Sequence, residues 1–199
     1  MIKMLISSHK IIGNIVCDVI EEKLNIKLDR EGVLYGCELP DISPNFMLIL
    51  HFKKYSFNFV LKLINRLISQ GLPQEKSNLK IFSVNLGIIL HYLADYFCYA
   101  HNRKKYNFLP LHLAYEYMLD NRFFKFEFKD IIDTTSNLNV WQNLHSLGQI
   151  EEYINYKIDE YNYLDHKIEN DVIYSIETCL IISHAIISHC NSYKFSCSA

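Results

Sequence analysis

Five side chains in the middle of this chain are of types that bind metal ions: His91, Asp95, His101, His112 and Glu116, carried by the runs HYLADYFCYAH and HLAYE. An α-helix turns ~100° per residue, so residues four apart share a face one turn apart. His91 and Asp95 therefore aim the same way, as do His112 and Glu116, and each pair offers two donors to one ion. His101 lies roughly 80° off the His91 face in an ideal helix, which suits a neighbouring ion shared with His112 and Glu116. The surroundings are apolar, where ionisable groups are costly unless something compensates them. A cluster of divalent cations would do so, and imidazole with carboxylate is a donor set that zinc accepts. Paired ions would acidify water and neutralise charge on a phosphate ester. The reaction favoured is attack of a metal-bound hydroxide on a phosphodiester or phosphomonoester.

Further donors lie upstream: His9 at a helix start, Asp41 in a Gly/Pro-rich stretch, and His51. With these in order, the chain resembles the zinc-dependent phospholipase C family, which is related in fold to the fungal single-strand-specific nucleases. That family has H-x3-D-x5-H on a central helix and then H-x3-E; here they read His91-x3-Asp95-x5-His101 and His112-x3-Glu116. Its upstream helix-start His, loop Asp and His correspond to His9, Asp41 and His51. By motif the resemblance covers residues 9–116. It implies a domain over residues 1–199 and three zinc ions. One would take Asp41, His51, His91 and Asp95, and a second His101, His112 and Glu116. The third would take His9, Asp95 as a bridge, and the backbone amine and carbonyl of the first residue. Secreted members begin with a Trp there; this chain begins with Met1, and its one Trp is Trp141. Met1 can chelate through its main chain, or the enzyme works with two metals. The resemblance also implies a proton-handling, catalytic role for Asp41, and a phosphoester substrate such as a phospholipid. A nuclease or nucleotidase on the same scaffold, and a metal-stabilised domain without catalysis, are the alternatives.

The elements that must position these residues read as helices. Ser8 can cap a first helix over residues 9–25, with Ile12, Val16 and Ile20 on its apolar face. Residues 28–45, with two Gly and two Pro in GVLYGCELPDISPN, read as a loop. Helices follow over residues 45–53, 56–70 (stopped by Gly71 and Pro73), 77–100, 110–120, 139–161 and 170–193. Residues 128–138 read as a polar linker. The expected fold is an all-α, single-domain, multi-helix bundle.

The composition bounds the rest. Half of the 199 residues are apolar, 14% are aromatic, and only six Gly and four Pro occur. That excludes a disordered chain and favours long helices. A net charge of −2 advertises no phosphate-backbone binding, so no stable nucleic-acid partner is expected. Six cysteines without a CxxC pair suggest no disulfide framework. No signal-peptide pattern or transmembrane segment stands out, so a cytoplasmic location is expected. His145, His166, His184 and His189 read as core histidines. Residues 102–106, NRKKY, read as a solvated loop, with a phosphate-facing role left open by their place between two ligand segments. No adjacent His-Asp pair, HExxH, GxSxG or P-loop is present.

Overall fold

The computed structural model describes residues 6–46, 48–137 and 143–196, the side chains of residues 107 and 192–196 excepted. Its helices are α1 (Ile6–Leu24), α2 (Arg30–Ile42), α3 (Lys53–Gln70), α4 (Lys76–Asp95), α5 (Tyr99–Asn102), α6 (Leu109–Lys125), α7 (Lys129–Asn137), α8 (Leu147–Tyr163) and α9 (Ile168–Ser196), with a 3-10 turn over Lys104–Asn107. Among the described residues there is no strand, and the fold is all-α. Two helices with apolar residues almost all round form its axis. Leu86, Ile89, Leu90 and Leu93 of α4 pack among Ile176, Cys179, Ile182 and Ile186 of α9, all buried. A helix apolar on every side must be enclosed, and α1, α2 and α3 cover α4 while α6, α7 and α8 lie on α9. By length and composition Ile168–Asn191 could cross a membrane, but 72% of its most apolar window is buried inside the bundle. Cys17, Cys37, Cys98, Cys179 and Cys190 are free and buried, as small apolar side chains.

The elements depart from the sequence reading at places that matter for the site. The stretch expected as a loop holds α2. Asp29 caps it, accepting the Gly32 amide at 2.6 Å, and Pro40 stands within its last turn, where it forfeits one ladder bond. The glycines that suggested a loop are there for contact instead. A Cβ on Gly36 would meet the Gly87 Cα at 2.9 Å, a Cβ on Gly87 would meet the Gly36 Cα at 2.9 Å, and backbone carbonyls crowd both. Helices α2 and α4 thus touch backbone to backbone. The helix expected over residues 45–53 is a run of turns instead, with Ile49 bonded back to Phe46, so His51 lies on a loop just before α3. The central helix stops at Asp95. Phe97 and Cys98 donate three residues back, to Ala94 and Asp95, and α5 starts afresh at Tyr99. Residues 129–137, expected as linker, form α7 because Ile131 and Ile132 pack on the core. Helix α8 starts at Leu147 behind the Ser146 cap; residues 138–142, where its start was expected, lie outside the described residues.

Candidate metal centre

The eight expected donors among the described residues come from six pieces of this scaffold, and all of them converge. His9 stands on α1, Asp41 in the last turn of α2, His51 on the loop before α3, and His91 and Asp95 on the end of α4. His101 is on α5, and His112 and Glu116 are on α6. Met1 lies outside the described residues. Asp95 is central: its carboxylate lies 3.4 Å from His9 Nε2, 2.9 Å from His51 Nδ1, 3.2 Å from His91 Nε2 and 3.7 Å from His101 Nδ1. Asp41 Oδ1 stands 3.8 Å from both His51 and His91. Glu116 Oε1 lies 2.7 Å from His112 Nε2 and 3.3 Å from His101 Nε2. The His9 and His91 rings stack at 4.0 Å and those of His101 and His112 at 4.9 Å.

Three groups of donors emerge whose atoms lie within 4.8 Å of one another: His9, His91 and Asp95; Asp41, His51 and His91; and His101, His112 and Glu116. His91 belongs to two of them. The break after Asp95 is what brings His101 in, since a straight helix would have carried it past the centre and off the face. His91, Asp95, His9 and Glu116 form a buried floor, while His51 is 25% exposed and His112 19%, so the centre opens on their side.

Electrostatics follow from that packing. Burial alone would raise the Asp95 carboxyl, but His91, His101 and His51 outweigh it and hold it well below the usual carboxylate range. Burial works against Glu116 too, and bonds from His101 and His112 lower it. The bond to Glu116 raises His112 in turn. Of the eight buried side-chain nitrogen and oxygen atoms without a hydrogen-bond partner among the described residues, six belong here: both ring nitrogens of His9, Asp41 Oδ2, Asp95 Oδ2, His101 Nδ1 and Glu116 Oε2. Buried polar atoms are rarely left so. Close approach without hydrogen-bond alignment is what lone pairs aimed at a common point give, and the donor set suits zinc.

Supporting bonds fix the rings. His91 Nδ1 lies 2.8 Å from the Cys37 carbonyl, and His112 Nδ1 lies 3.3 Å from that of Tyr106. Each Nδ1–H donates outward, which leaves Nε2 free to point inward. Asp120, missed in the sequence, accepts the Ser8 amide at 2.9 Å and so ties the start of α1, and His9 with it, to α6. Its signal was legible: His112, Glu116 and Asp120 form one i, i+4 stripe. Asp171, also missed, accepts bonds from the Tyr99 amide and the Tyr115 and Tyr161 hydroxyls, at 2.9, 2.6 and 2.7 Å. It pins the helices that carry His101 and Glu116 to α8 and α9. An Asp near a helix start is too ordinary a signal to mark it. The four remaining histidines stand apart from the centre. His166 stacks on Tyr99 at 3.5 Å, His189 Nε2 lies 2.7 Å from the Leu144 carbonyl, burial lowers His184 to about 4, and His145 is exposed.

The family model described as "Zinc dependent phospholipase C" matches residues 8–168. No curated protein and no solved structure matches the chain.

Proposed function

Since this chain belongs to the zinc-dependent phospholipase C family, we propose that it hydrolyses phosphodiesters at a centre of three zinc ions. Asp41, His51, His91 and Asp95 would hold one ion. His101, His112 and Glu116 would hold a second, and His9 and Asp95, with the main chain of Met1, a third. The observation that carries this reading is the set of six buried, unpartnered donor atoms around Asp95. When bound, zinc supplies Lewis-acid polarisation of the phosphoryl group and acidifies water.

The chain's own residues do the rest. The Cys37 and Tyr106 carbonyls hold the inward tautomers of His91 and His112. The scissile phosphate enters from the His51 and His112 side, because His91, Asp95 and Glu116 close the floor. Asp41, 3.8 Å from His51 and His91 and with Oδ2 uncommitted, would accept a proton at that oxygen and return it to the departing alcohol.

The test is metal content by mass spectrometry, followed by a panel of phosphoesters that includes phospholipids, nucleotides and single-stranded nucleic acid. Protein prepared with zinc and without chelator should carry two to three ions per chain and cleave a phospholipid or related phosphodiester. Less than one ion per chain would overturn the reading. A preference for nucleic acid would move it to the nuclease alternative.

A further inference from the structure

A cleft of about 430 Å³ lies directly beside the centre, with His101 in its wall. Four cations line it: Lys53 and Lys54 from the start of α3, and Arg103 and Lys104 from the end of α5 and the turn that follows. No carboxylate is among its lining residues, and none of the four makes an ion pair among the described residues. The surface of this chain is acidic on balance, with a net charge of −2, so four unneutralised cations in one cleft is a local inversion. Three of them rest on aromatic faces instead. Lys53 lies 5.2 Å from the Phe57 ring, Lys54 5.5 Å from Tyr55 and Arg103 5.1 Å from Tyr99. Such contacts orient a cation without neutralising it.

Two more features point the same way. Helix α3 begins here without a side-chain cap, so its positive end faces the cleft. The cleft also joins the donors: the Phe52 ring stands 5.9 Å from that of His101, and His101 Nδ1 is buried and unpartnered. A phosphate held at the centre would have its neighbouring substituent in this basic cleft.

We propose that this cleft binds a second anionic group of the substrate, so that the chain selects phosphodiesters carrying a further phosphate over those carrying a quaternary ammonium. The proposal rests on the reading of the centre as a phosphoesterase. Hydrolysis forms a bond from a water oxygen to phosphorus and breaks the ester bond to the alcohol, which leaves with a proton. The cleft takes no part in those bonds. It fixes the second anion and thereby the position of the scissile one. A positively charged head group would meet four like charges and no carboxylate in the lining.

The experiment uses the zinc-loaded full chain. Initial rates are compared on vesicles of phosphatidylinositol bisphosphate in a neutral carrier lipid, on vesicles of phosphatidylcholine, and on water-soluble glycerophosphoinositol bisphosphate. The polyanionic lipid or its soluble counterpart should be favoured over phosphatidylcholine by at least about tenfold in kcat/KM. Cleavage of the soluble compound would show that the head group suffices; cleavage of the vesicles alone would show that the lipid surface is needed as well. The combined variant Lys53→Gln, Lys54→Gln, Arg103→Gln and Lys104→Gln should lose most of that preference with its zinc count intact. If the combination fails to fold, the exposed Lys54→Gln and Lys104→Gln carry the test. Equal rates on the charged and zwitterionic lipids, or a preference the variants leave untouched, would overturn the proposal. If no ester is cleaved, the phosphoesterase reading fails, and binding of inositol trisphosphate by calorimetry decides the cleft. Affinity at least about tenfold above that of the variants upholds it, and equal affinity ends it.

Discussion

Asp95 is the residue on which most depends, because four imidazoles from four separate elements face one carboxylate that is 2% exposed. Asp95→Asn keeps the shape and removes the charge. Zinc content should fall by at least one ion per chain and phosphodiesterase activity to background; wild-type values of both would rule out its central role. Asp120 calls for a graded test. Asp120→Asn keeps an oxygen for the Ser8 amide and should retain full zinc. Asp120→Leu removes the carboxylate that the Ser8 amide donates to, a cost of about 1–3 kcal/mol, and should loosen His9 and lower occupancy of its ion. At this scale the sequence was most legible: metal donors are rare residue types at fixed spacings, and His9 through Glu116 could be read in order. Asp171 could not, since its importance comes from three donors on three other elements, which no local pattern carries.

Elements were less legible than residues, for a definite reason. Glycine and proline between residues 32 and 44 signal a turn when judged by backbone freedom, yet Gly36 answers to the demand of α4 for close approach. Tertiary contact overrode propensity there. The opposite failure occurred after Asp95, where apolar periodicity runs on through Tyr96 and Phe97 while the helix stops. The α2–α4 contact gives a sharp test. In an isolated helix Gly→Ala gains up to about 1 kcal/mol. At Gly36 the new methyl meets backbone that cannot rotate away, so Gly36→Ala should destabilise by about 1–3 kcal/mol or more. Since α2 also supplies Asp41 and the Cys37 carbonyl behind His91, zinc content should fall with it. An unfolding midpoint at or above that of the wild type would show that the helices can separate freely.

For the molecule as a whole, removing the metal should lower the melting temperature, because the donors would then be buried and uncompensated. A second expectation concerns pH. Burial raises the Asp171 carboxyl from 3.8 to about 6. The folded chain holds that proton more tightly, so this contribution to stability is complete below about 3.8 and is lost as pH climbs through about 6. His184, lowered by burial from 6.5 to about 4, acts in the opposite sense: its contribution is present above 6.5 and is lost as pH falls towards 4. The two slopes oppose each other over one window. Urea midpoints between pH 4 and 6.5 should therefore rise more steeply with pH in Asp171→Asn than in wild type, and less steeply in His184→Gln. Parallel curves would refute the assignment. The tether at Asp171 also has a consequence for the order of events in synthesis. Every donor from His9 to Glu116 leaves the ribosome before the residue that pins the helices of His101 and Glu116, and before α9, against which α4 packs. A nascent chain would hold the full set of donors without the frame that sets their distances. Zinc should therefore be captured firmly only late, and a chain ending at residue 167 should release it to a chelator that the 199-residue chain resists.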